Sequence, residues 1–158
     1  MTIDVTVAPP QFRDWEGLLK LLHAAFAYQN DRIDPPSSLH RLDATAIAQK
    51  AKDERLLLAI EGGTVLGCIF ARSQPDSVYV GKFAVLPERQ GEGIGRRLMQ
   101  AAEDFARDSG YSVLELETRI ELTENHETFA TMGFVKVAEH AHEGYDRPTS
   151  IAMRKSLR

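Results

Sequence analysis

The chain has 158 residues and a mass of 17.6 kDa, the size of one domain, and its hydrophobic fraction of 43% is enough for a core. A net charge of −4 disfavours general electrostatic attraction to nucleic acid, and the apolar runs are too short to span a membrane. The N-terminus lacks the basic and apolar regions of a signal peptide, and the single cysteine allows no internal disulfide, so we expect a cytoplasmic protein.

The N-terminal third predicts one strand and two helices. Alternating apolar residues indicate a half-buried strand over residues 2–7. Apolar residues at helical spacing indicate an amphipathic helix over residues 14–28. A turn-rich loop then leads to a weaker helix that ends near Lys52 and begins at either Ser38 or Asp43.

The rest of the chain predicts strands that flank two more helices. Gly62-Gly63, a hairpin signal, joins the first two of three strands that form an antiparallel meander. The predicted strands lie at residues 55–61, 64–72, 78–86, 112–118, 134–139 and 150–155. Residues 87–95 open one predicted helix, which runs to about Ser109, and the other helix spans about 124–132. This order predicts an α+β fold, in which helices cover a mixed sheet, as a single domain over residues 1–158.

Residues 90–95, Gln-Gly-Glu-Gly-Ile-Gly, lie between a predicted strand and a predicted helix. The glycines let the backbone turn sharply and approach a ligand, and the exposed amides at the helix start favour an anion. Arg89, Arg96 and Arg97 add a local cationic cluster. The loop therefore indicates a site for a phosphate or a pyrophosphate.

Two known phosphate-binding motifs fit this loop poorly. A P-loop requires Gly-Lys-Ser/Thr after its spaced glycines, which this loop lacks. The dinucleotide fingerprint requires Gly-x-Gly-x-x-Gly directly after its strand, and residue 96 is arginine. Glu115 and Glu117 lie about 20 residues further on, where that fold places a ribose-binding acid, so a nucleotide-cofactor domain stays an alternative.

The glycine loop belongs to a longer pattern. The pattern comprises the segment 83–88, Gln90-x-x-Gly93-x-Gly95, the Gly62-Gly63 hairpin, Leu114-Glu115-Leu116 and Phe129-x-x-x-Gly133-Phe134. Together these segments, which extend over most of the chain, resemble the GNAT superfamily of N-acetyltransferases. The resemblance implies a mostly antiparallel sheet of six or seven strands, splayed between the fourth and fifth strands and flanked by about four helices.

The resemblance also implies a donor and the residues that bind it. It implies acetyl-CoA as the donor, a primary amine as the acceptor, direct transfer in a ternary complex, and no metal. The strand backbone around Phe83 and Val85 would form hydrogen bonds with the pantetheine arm, which would continue the sheet like an added strand. The loop amides would hold the pyrophosphate. The cofactor-binding residues expected on this basis are Phe83, Ala84, Val85, Gln90, Gly91, Gly93, Ile94, Gly95, Arg96, Asn125 and Phe129.

Two departures from the family pattern concern the acid that protonates the leaving thiolate. The resemblance implies a tyrosine four residues before Gly133 and an asparagine seven residues earlier, where this chain has Phe129 and Leu122. Phenylalanine cannot donate a proton, so water, the substrate or another residue would protonate the thiolate. A CoA-binding regulatory or interaction module without transferase activity therefore stays the alternative function.

Three other side chains are candidates for the acid–base work. Tyr145 lies in a loop that can fold back over the thioester. His126 opens the last predicted helix, and an imidazole can act as base or acid. Glu117, which forms an acidic cluster with Glu121 and Glu124, would attract a cationic amine and orient a water molecule that acts as base.

The remaining candidates are weaker. Strand parity leaves open whether Tyr79 and Lys82 face the gap in the sheet. Cys68 lies in an apolar run and is expected in the core. His140 and His142 alternate as a metal-binding pair would, but they lack a third ligand at suitable spacing. The closing strands offer a surface for a homodimer, and neither nucleic acid nor a membrane is expected as a partner.

Overall fold

The structure is a computed structural model that describes residues 2–158. Its strands are β1 (Ile3–Val7), β2 (Arg55–Glu61), β3 (Thr64–Ser73), β4 (Val78–Val85), β5 (Val113–Arg119), β6 (Val135–His140) and β7 (Ser150–Ser156). They form one seven-stranded sheet in the order β1-β2-β3-β4-β5-β7-β6. Neighbouring strands are antiparallel except β4 and β5, which run parallel. The predicted α+β fold with a mixed, mostly antiparallel sheet is confirmed.

The α-helices of residues 2–158 are α1 (Trp15–Phe26), α2 (Ala44–Asp53), α3 (Ile94–Asp108) and α4 (Thr123–Thr131). The Asp43 side chain accepts a hydrogen bond from the Ala46 amide at 2.8 Å, so Asp43 begins α2 as its N-cap. Ser38–Arg41 forms a separate 3-10 turn, and both predicted starts are therefore used. Within the described chain, every helix falls short of the length and apolar character that a membrane crossing requires.

The helices cover opposite faces of the sheet. On one face Leu22 of α1 belongs to the same buried cluster as Phe70 of β3, and α2 packs there as well. On the other face Leu98 of α3 packs among Val80 and Leu114, and α4 extends this cluster. Because successive residues of a strand point to opposite faces, each strand contributes to both cores.

Strands β4 and β5 separate soon after they begin. Val78 and Tyr79 pair with Leu114 and Glu115, and the backbone pairing between the two strands ends there. In contrast, β5 pairs with β7 along its whole length. The splay expected between the fourth and fifth strands is confirmed, and it leaves the second half of β4 free of its neighbour.

A bulge interrupts β4 beside this gap. The register with β3 shifts between Cys68 and Phe70, so that Lys82 and Phe83 together oppose Ile69. Lys82 has a φ of 46°, in the left-handed region that a lysine rarely adopts. Residues 78–86 are predicted as a continuous strand, although Gly81, directly beside the bulge, is the type of residue that often marks one. The bulge alters the alternation of side chains along β4 at the point where the cavity opens.

Candidate active site

A cavity of about 600 Å³ opens where β4 and β5 separate, and it passes through the gap in the sheet. We call its α3 face the glycine-loop side, formed by residues 83–95 and 125–129. We call the opposite face the proline-loop side, formed by residues 28–41, 79–82, 117–119 and 142. One cavity thus connects two differently built surfaces.

The glycine loop ends in a helix start with free amides. Gly93 has a φ of +85° and precedes α3 as its N-cap. The Arg97 amide donates a helical hydrogen bond to the Gly93 carbonyl at 3.2 Å. The amides of Ile94, Gly95 and Arg96 come before this bond and have no helical carbonyl to pair with. Together with the positive end of the helix dipole, they form a site for an anion.

Gly95 lets the start of α3 pack against the end of β4. A Cβ atom at residue 95 would lie 3.2 Å from Phe83 Cζ and 3.8 Å from Val85 Cγ2. A larger side chain would push the helix away from the strand. The loop amides and the free strand backbone therefore adjoin the same cavity, as the resemblance implied for a CoA site.

Arg89 ties the glycine loop to β2 and is not a free cation. Its guanidinium pairs with Glu61 at 3.0 Å and with Glu92 at 2.9 Å. The hydrogen bonds from Arg89 hold the pKa of Glu61 below its usual value. The expected cationic cluster of Arg89, Arg96 and Arg97 is corrected here, because the charge of Arg89 is already balanced. On the glycine-loop side of the cavity, the positive potential comes from backbone amides.

The predicted cofactor-binding residues line the cavity, with the exception of Arg96. Arg96 is exposed on the first turn of α3. The Phe129 ring lies 6.3 Å from the Phe83 ring, so it packs into the cavity wall. Asn125 donates a hydrogen bond to the Tyr28 hydroxyl at 2.9 Å and closes the wall towards the proline-loop side.

Cationic side chains dominate the proline-loop side. They are Arg41, Lys82 and Arg119. Arg119 donates hydrogen bonds to the carbonyls of Pro35 at 2.6 Å and Pro36 at 3.2 Å, and this contact positions the loop over β5. Lys82 Nζ donates to Ser38 Oγ at 3.3 Å. Strand parity left the orientation of Lys82 open, and the bulge in β4 places it in the cavity wall.

The surroundings of Lys82 and Arg119 disfavour the charged forms of both side chains. Burial lowers the pKa of Lys82, and the charges of Lys50 and Arg119 lower it further. Burial also lowers the pKa of Arg119, against the opposing effect of Glu121. Crowding of like charges in a partly buried wall gives the proline-loop side a positive potential.

Glu117 and Tyr79 lie together on this side. Glu117 is exposed on β5, lines the cavity, and sits 3.6 Å from His140 Nε2. The Tyr79 ring leans over Gly81, whose missing side chain leaves room for it: a Cβ there would lie 3.3 Å from the ring. Burial, and then the charge of Glu117, raises the pKa of Tyr79 to about 12. The phenol therefore keeps its proton at neutral pH.

His142 also reaches the cavity, although the sequence had indicated it only as a weak metal candidate. Its amide donates to Thr149 Oγ1 at 2.9 Å, and its ring Nδ1 contacts the same hydroxyl. Burial, and then the positive charge of Arg119, lowers the pKa of His142. The ring is therefore neutral at neutral pH. Its approach to Arg119 depends on the fold and left no local signal in the sequence.

Two of the predicted catalytic residues lie outside the cavity wall. The Tyr145 hydroxyl donates a hydrogen bond to Asp34 Oδ1 at 2.6 Å. His126 Nε2 lies 3.0 Å from the Arg119 carbonyl oxygen. Neither residue lines the cavity. The expectation that Tyr145 folds over the cavity is corrected, because Asp34 holds its phenol.

The predicted acidic cluster is divided by the fold. Glu121 accepts a hydrogen bond from the Asp34 amide at 3.0 Å, and Glu124 pairs with Arg32 at 2.7 Å. Both glutamates therefore attach the proline loop, residues 30–37, to the start of α4. In the described chain, Glu117 is the acidic residue that lines the cavity.

Cys68 is fully buried, as predicted. Its thiol donates to the Lys82 carbonyl at 3.3 Å, and burial raises its pKa to about 12. A thiol in this state is a poor nucleophile. Residues 2–158 contain no group of three or more His, Cys, Asp or Glu side chains arranged to hold a metal ion.

A splayed mixed sheet beside a glycine-rich helix start is the arrangement that the resemblance implied for an acetyltransferase. The model of the Acetyltransferase (GNAT) family matches residues 15–134, which include the glycine loop and α4. The chain therefore belongs to the GNAT acetyltransferase family.

Similar proteins agree with this assignment. The chain is 33% identical over 144 residues to "IAA acetyltransferase" of Azospirillum brasilense, a match that covers 90% of this chain and 92% of the relative. A GNAT family acetyltransferase from Elizabethkingia anophelis with acetyl-CoA bound superposes with a TM-score of 0.70 at 18% identity, covering 98% of each chain. The PaiA N-acetyltransferase of Thermoplasma acidophilum, in complex with coenzyme A, gives 0.77 at 16% identity, covering 99% of each.

Proposed function

We propose that this acetyltransferase moves an acetyl group from acetyl-CoA to the primary amine of a small molecule or peptide, directly and within a ternary complex. The observation that carries the proposal is the cavity through the gap between β4 and β5. It has an anion-binding helix start on one side and polar side chains on the other. Two substrates that enter from opposite sides would meet in the gap, held in proximity for reaction.

The donor would bind along the free half of β4. The backbone pairing of β4 with β5 ends at Tyr79. The backbone of residues 83–85 can therefore form hydrogen bonds with a pantetheine arm, as it could with a neighbouring strand. The amides of residues 94–96 would bind the pyrophosphate. The acetyl-CoA and coenzyme A bound in the two similar structures support this choice of donor.

The transfer requires two proton movements. The amine nitrogen attacks the thioester carbonyl carbon, the C–S bond breaks, and the sulfur leaves as a thiolate. A water molecule oriented by Glu117 would take the proton that the amine loses. Tyr79 would give its phenolic proton to the thiolate and regain one from solvent. Phe129 cannot supply this proton, whereas the phenol of Tyr79 lines the cavity.

The state of Cys68 supports direct transfer. A covalent acetyl-enzyme would need an accessible thiolate, and the single cysteine of the chain is fully buried with a raised pKa. The amine itself is therefore the nucleophile in this proposal.

The proposed function is tested in two measurements. Isothermal titration should detect CoA binding by the wild-type protein. A thiol-release assay with acetyl-CoA should then identify an acceptor among polyamines, amino acids, aminoglycosides, peptide amines and IAA, which the name of the A. brasilense relative adds to the panel. Absence of CoA binding would refute the proposal.

Phe129 favours one second candidate, a CoA-binding regulatory or interaction module without transferase activity. This candidate and the enzyme bind CoA alike but differ in turnover. Thiol release with any amine in the panel, lost on substitution of Tyr79 or Glu117, would rule out the module.

The cytoplasm stays the proposed compartment and a homodimer stays a proposed assembly. The edge strand β6 supports the second proposal, because Val135 is 63% exposed and Val137 is 51% exposed. Light scattering on the purified protein measures the mass directly, and a monomer at micromolar concentration would contradict a stable dimer.

A further inference from the structure

The proline-loop side carries more positive than negative charge. Arg41, Lys82 and Arg119 line the cavity there, and Glu117 is the acidic residue of the described chain that lines it with them. His142 lines the cavity with them. Burial and then the charge of Arg119 lower its pKa, and Arg41 adds to this against the opposing charges of Glu117 and Glu121. A wall of this charge does not match an acceptor that is only a cation.

These three cations form no ion pair with a carboxylate in the part of the chain described. Arginines nearby are paired: Arg32 with Glu124 at 2.7 Å, and Arg147 with Asp34 at 3.1 Å. No carboxylate of residues 2–158 lies within 4.0 Å of the charged nitrogens of the three cavity cations. Arg119 and Lys82 bond only to neutral oxygens, those of Pro35, Pro36 and Ser38.

The acids closest to this wall are committed elsewhere. Asp34 accepts hydrogen bonds from Tyr145 at 2.6 Å and from Arg147 at 3.1 Å. Glu121 accepts from the Asp34 amide at 3.0 Å. These contacts hold the proline loop. Burial lowers the pKa of Arg119 and the charges of Glu121 and Asp34 act to raise it, but neither carboxylate forms an ion pair with it, so a ligand anion would supply the direct partner.

We propose that the acceptor carries a carboxylate beside its amine, and that Arg41, Lys82 and Arg119 form the subsite that binds this carboxylate. The proposal rests on the proposed function and names the substrate class of that site. Glu117 faces the amine of the same molecule. The acceptor is therefore amino-acid-like, with one charged group for each sign of the wall.

The wall favours a carboxylate over a phosphate. Phosphate sites typically use a nest of backbone amides, as the glycine loop does. Pro35 and Pro36 have no amide hydrogen, and they present carbonyl oxygens to Arg119 instead. The proline-loop side thus offers side-chain cations. A guanidinium binds two oxygens of either anion, so the missing amide hydrogens of Pro35 and Pro36 are what favours the carboxylate.

Matched acceptors test the proposal. Isothermal titration with CoA first establishes the donor site. Thiol release is then compared between glycine, L-glutamate and L-phenylalanine and their α-amides, with O-phosphoethanolamine as a phosphate-bearing amine. At least one acid should exceed its amide in kcat/KM by about tenfold or more, the effect of one charge-assisted hydrogen bond.

Substitutions separate the subsite from the fold. Arg41→Gln and Arg119→Gln should each reduce the acid-to-amide ratio by about tenfold, while Arg119→Lys, which keeps the charge, should retain part of it. Arg13→Gln is the matched control. Arg13 also donates to two loop carbonyls, those of Pro10 and Phe12, but it lies outside the cavity. It should leave the ratio unchanged.

Each outcome decides the matter. Absence of CoA binding refutes the proposed function and the subsite with it. Intact CoA binding with equal rates for acids and amides, or with no turnover of any acid, refutes the subsite alone. Faster acetylation of O-phosphoethanolamine than of every acid refutes the choice of carboxylate. Equal losses for acids and amides in the Arg41 and Arg119 variants show a structural role and also overturn the assignment.

Discussion

The two sides of the cavity are built from different parts of the polypeptide. The glycine-loop side uses main-chain amides from one continuous stretch, residues 90–96. The proline-loop side uses side chains from separate segments, joined by contacts such as those of Asp34 with Tyr145 and of Arg119 with Pro35. The proposed donor site therefore depends on local backbone geometry, whereas the proposed acceptor site depends on long-range packing.

The largest expected effect lies on the glycine-loop side. Gly93→Glu should reduce CoA affinity by about 100-fold or more, because it sets a carboxylate against the pyrophosphate and strains a left-handed position by about 1–2 kcal/mol. Isothermal titration measures the affinity. Gly110→Glu is the control, since Gly110 has a φ of +87° with open space around it and lies just beyond the other end of α3. Equal loss of affinity in both variants would contradict the amide site.

The next effect concerns the proton donor. Tyr79→Phe should lower kcat by about 100-fold, the usual contribution of a general acid, and leave CoA affinity unchanged. The ring and its stacking with Arg72, at 4.3 Å, are retained. Tyr28→Phe removes another phenol from the same cavity and should change kcat by no more than about threefold. A larger loss from Tyr28→Phe than from Tyr79→Phe would reverse the assignment.

A smaller effect is expected from loosening the proline loop. Asp34→Ala removes the acceptor for Tyr145 and Arg147, so kcat/KM for the amine should fall by about tenfold through poorer positioning. CoA affinity should stay the same, because the glycine loop is built independently. Asp76→Ala is the control: Asp76 is exposed and pairs with Arg154 at 3.4 Å, outside the cavity. A drop in CoA affinity for Asp34→Ala would show that the two sides are coupled.

The smallest effect is a pH dependence of stability at His142. Its pKa is lower in the folded chain than the ordinary 6.5, so the unfolded chain takes up a proton first as the pH falls. Stability is therefore lost as the pH drops below 6.5 towards the folded pKa. His142→Gln should flatten this part of the stability profile in urea unfolding, whereas His23→Gln, at an exposed position on α1, should not. Identical slopes for wild type and His142→Gln would contradict the prediction.

Most of the fold could be predicted because its signals are local. Alternating apolar runs, the Gly62-Gly63 hairpin and the Asp43 cap specify strands, a turn and a helix start within a few residues. The bulge at Lys82 was not predicted. Gly81 beside it is a residue type that marks bulges, but the left-handed φ of 46° falls on the lysine, which gives no such signal.

The candidate site shows the same difference between residues with a local sequence signal and residues without one. Glycine spacing is visible in a sequence, and the residues it indicated line the cavity, apart from Arg96. The partners of side chains that arrive from distant segments are not visible. Tyr145 and Glu121 were candidates for chemistry in the sequence, and both bond to Asp34, more than 80 residues away. Arg41 and Arg119, separated by a similar length of chain, line the same cavity, and the sequence did not indicate either of them as a site residue.

The conformation of Lys82 links stability to substrate choice. Asparagine adopts left-handed backbone more readily than lysine does, so Lys82→Asn should relieve strain at the bulge. The same change removes a cation from the proposed carboxylate subsite. A search for stabilised variants would therefore favour replacement of this lysine, and the resulting enzyme would discriminate less well among amines.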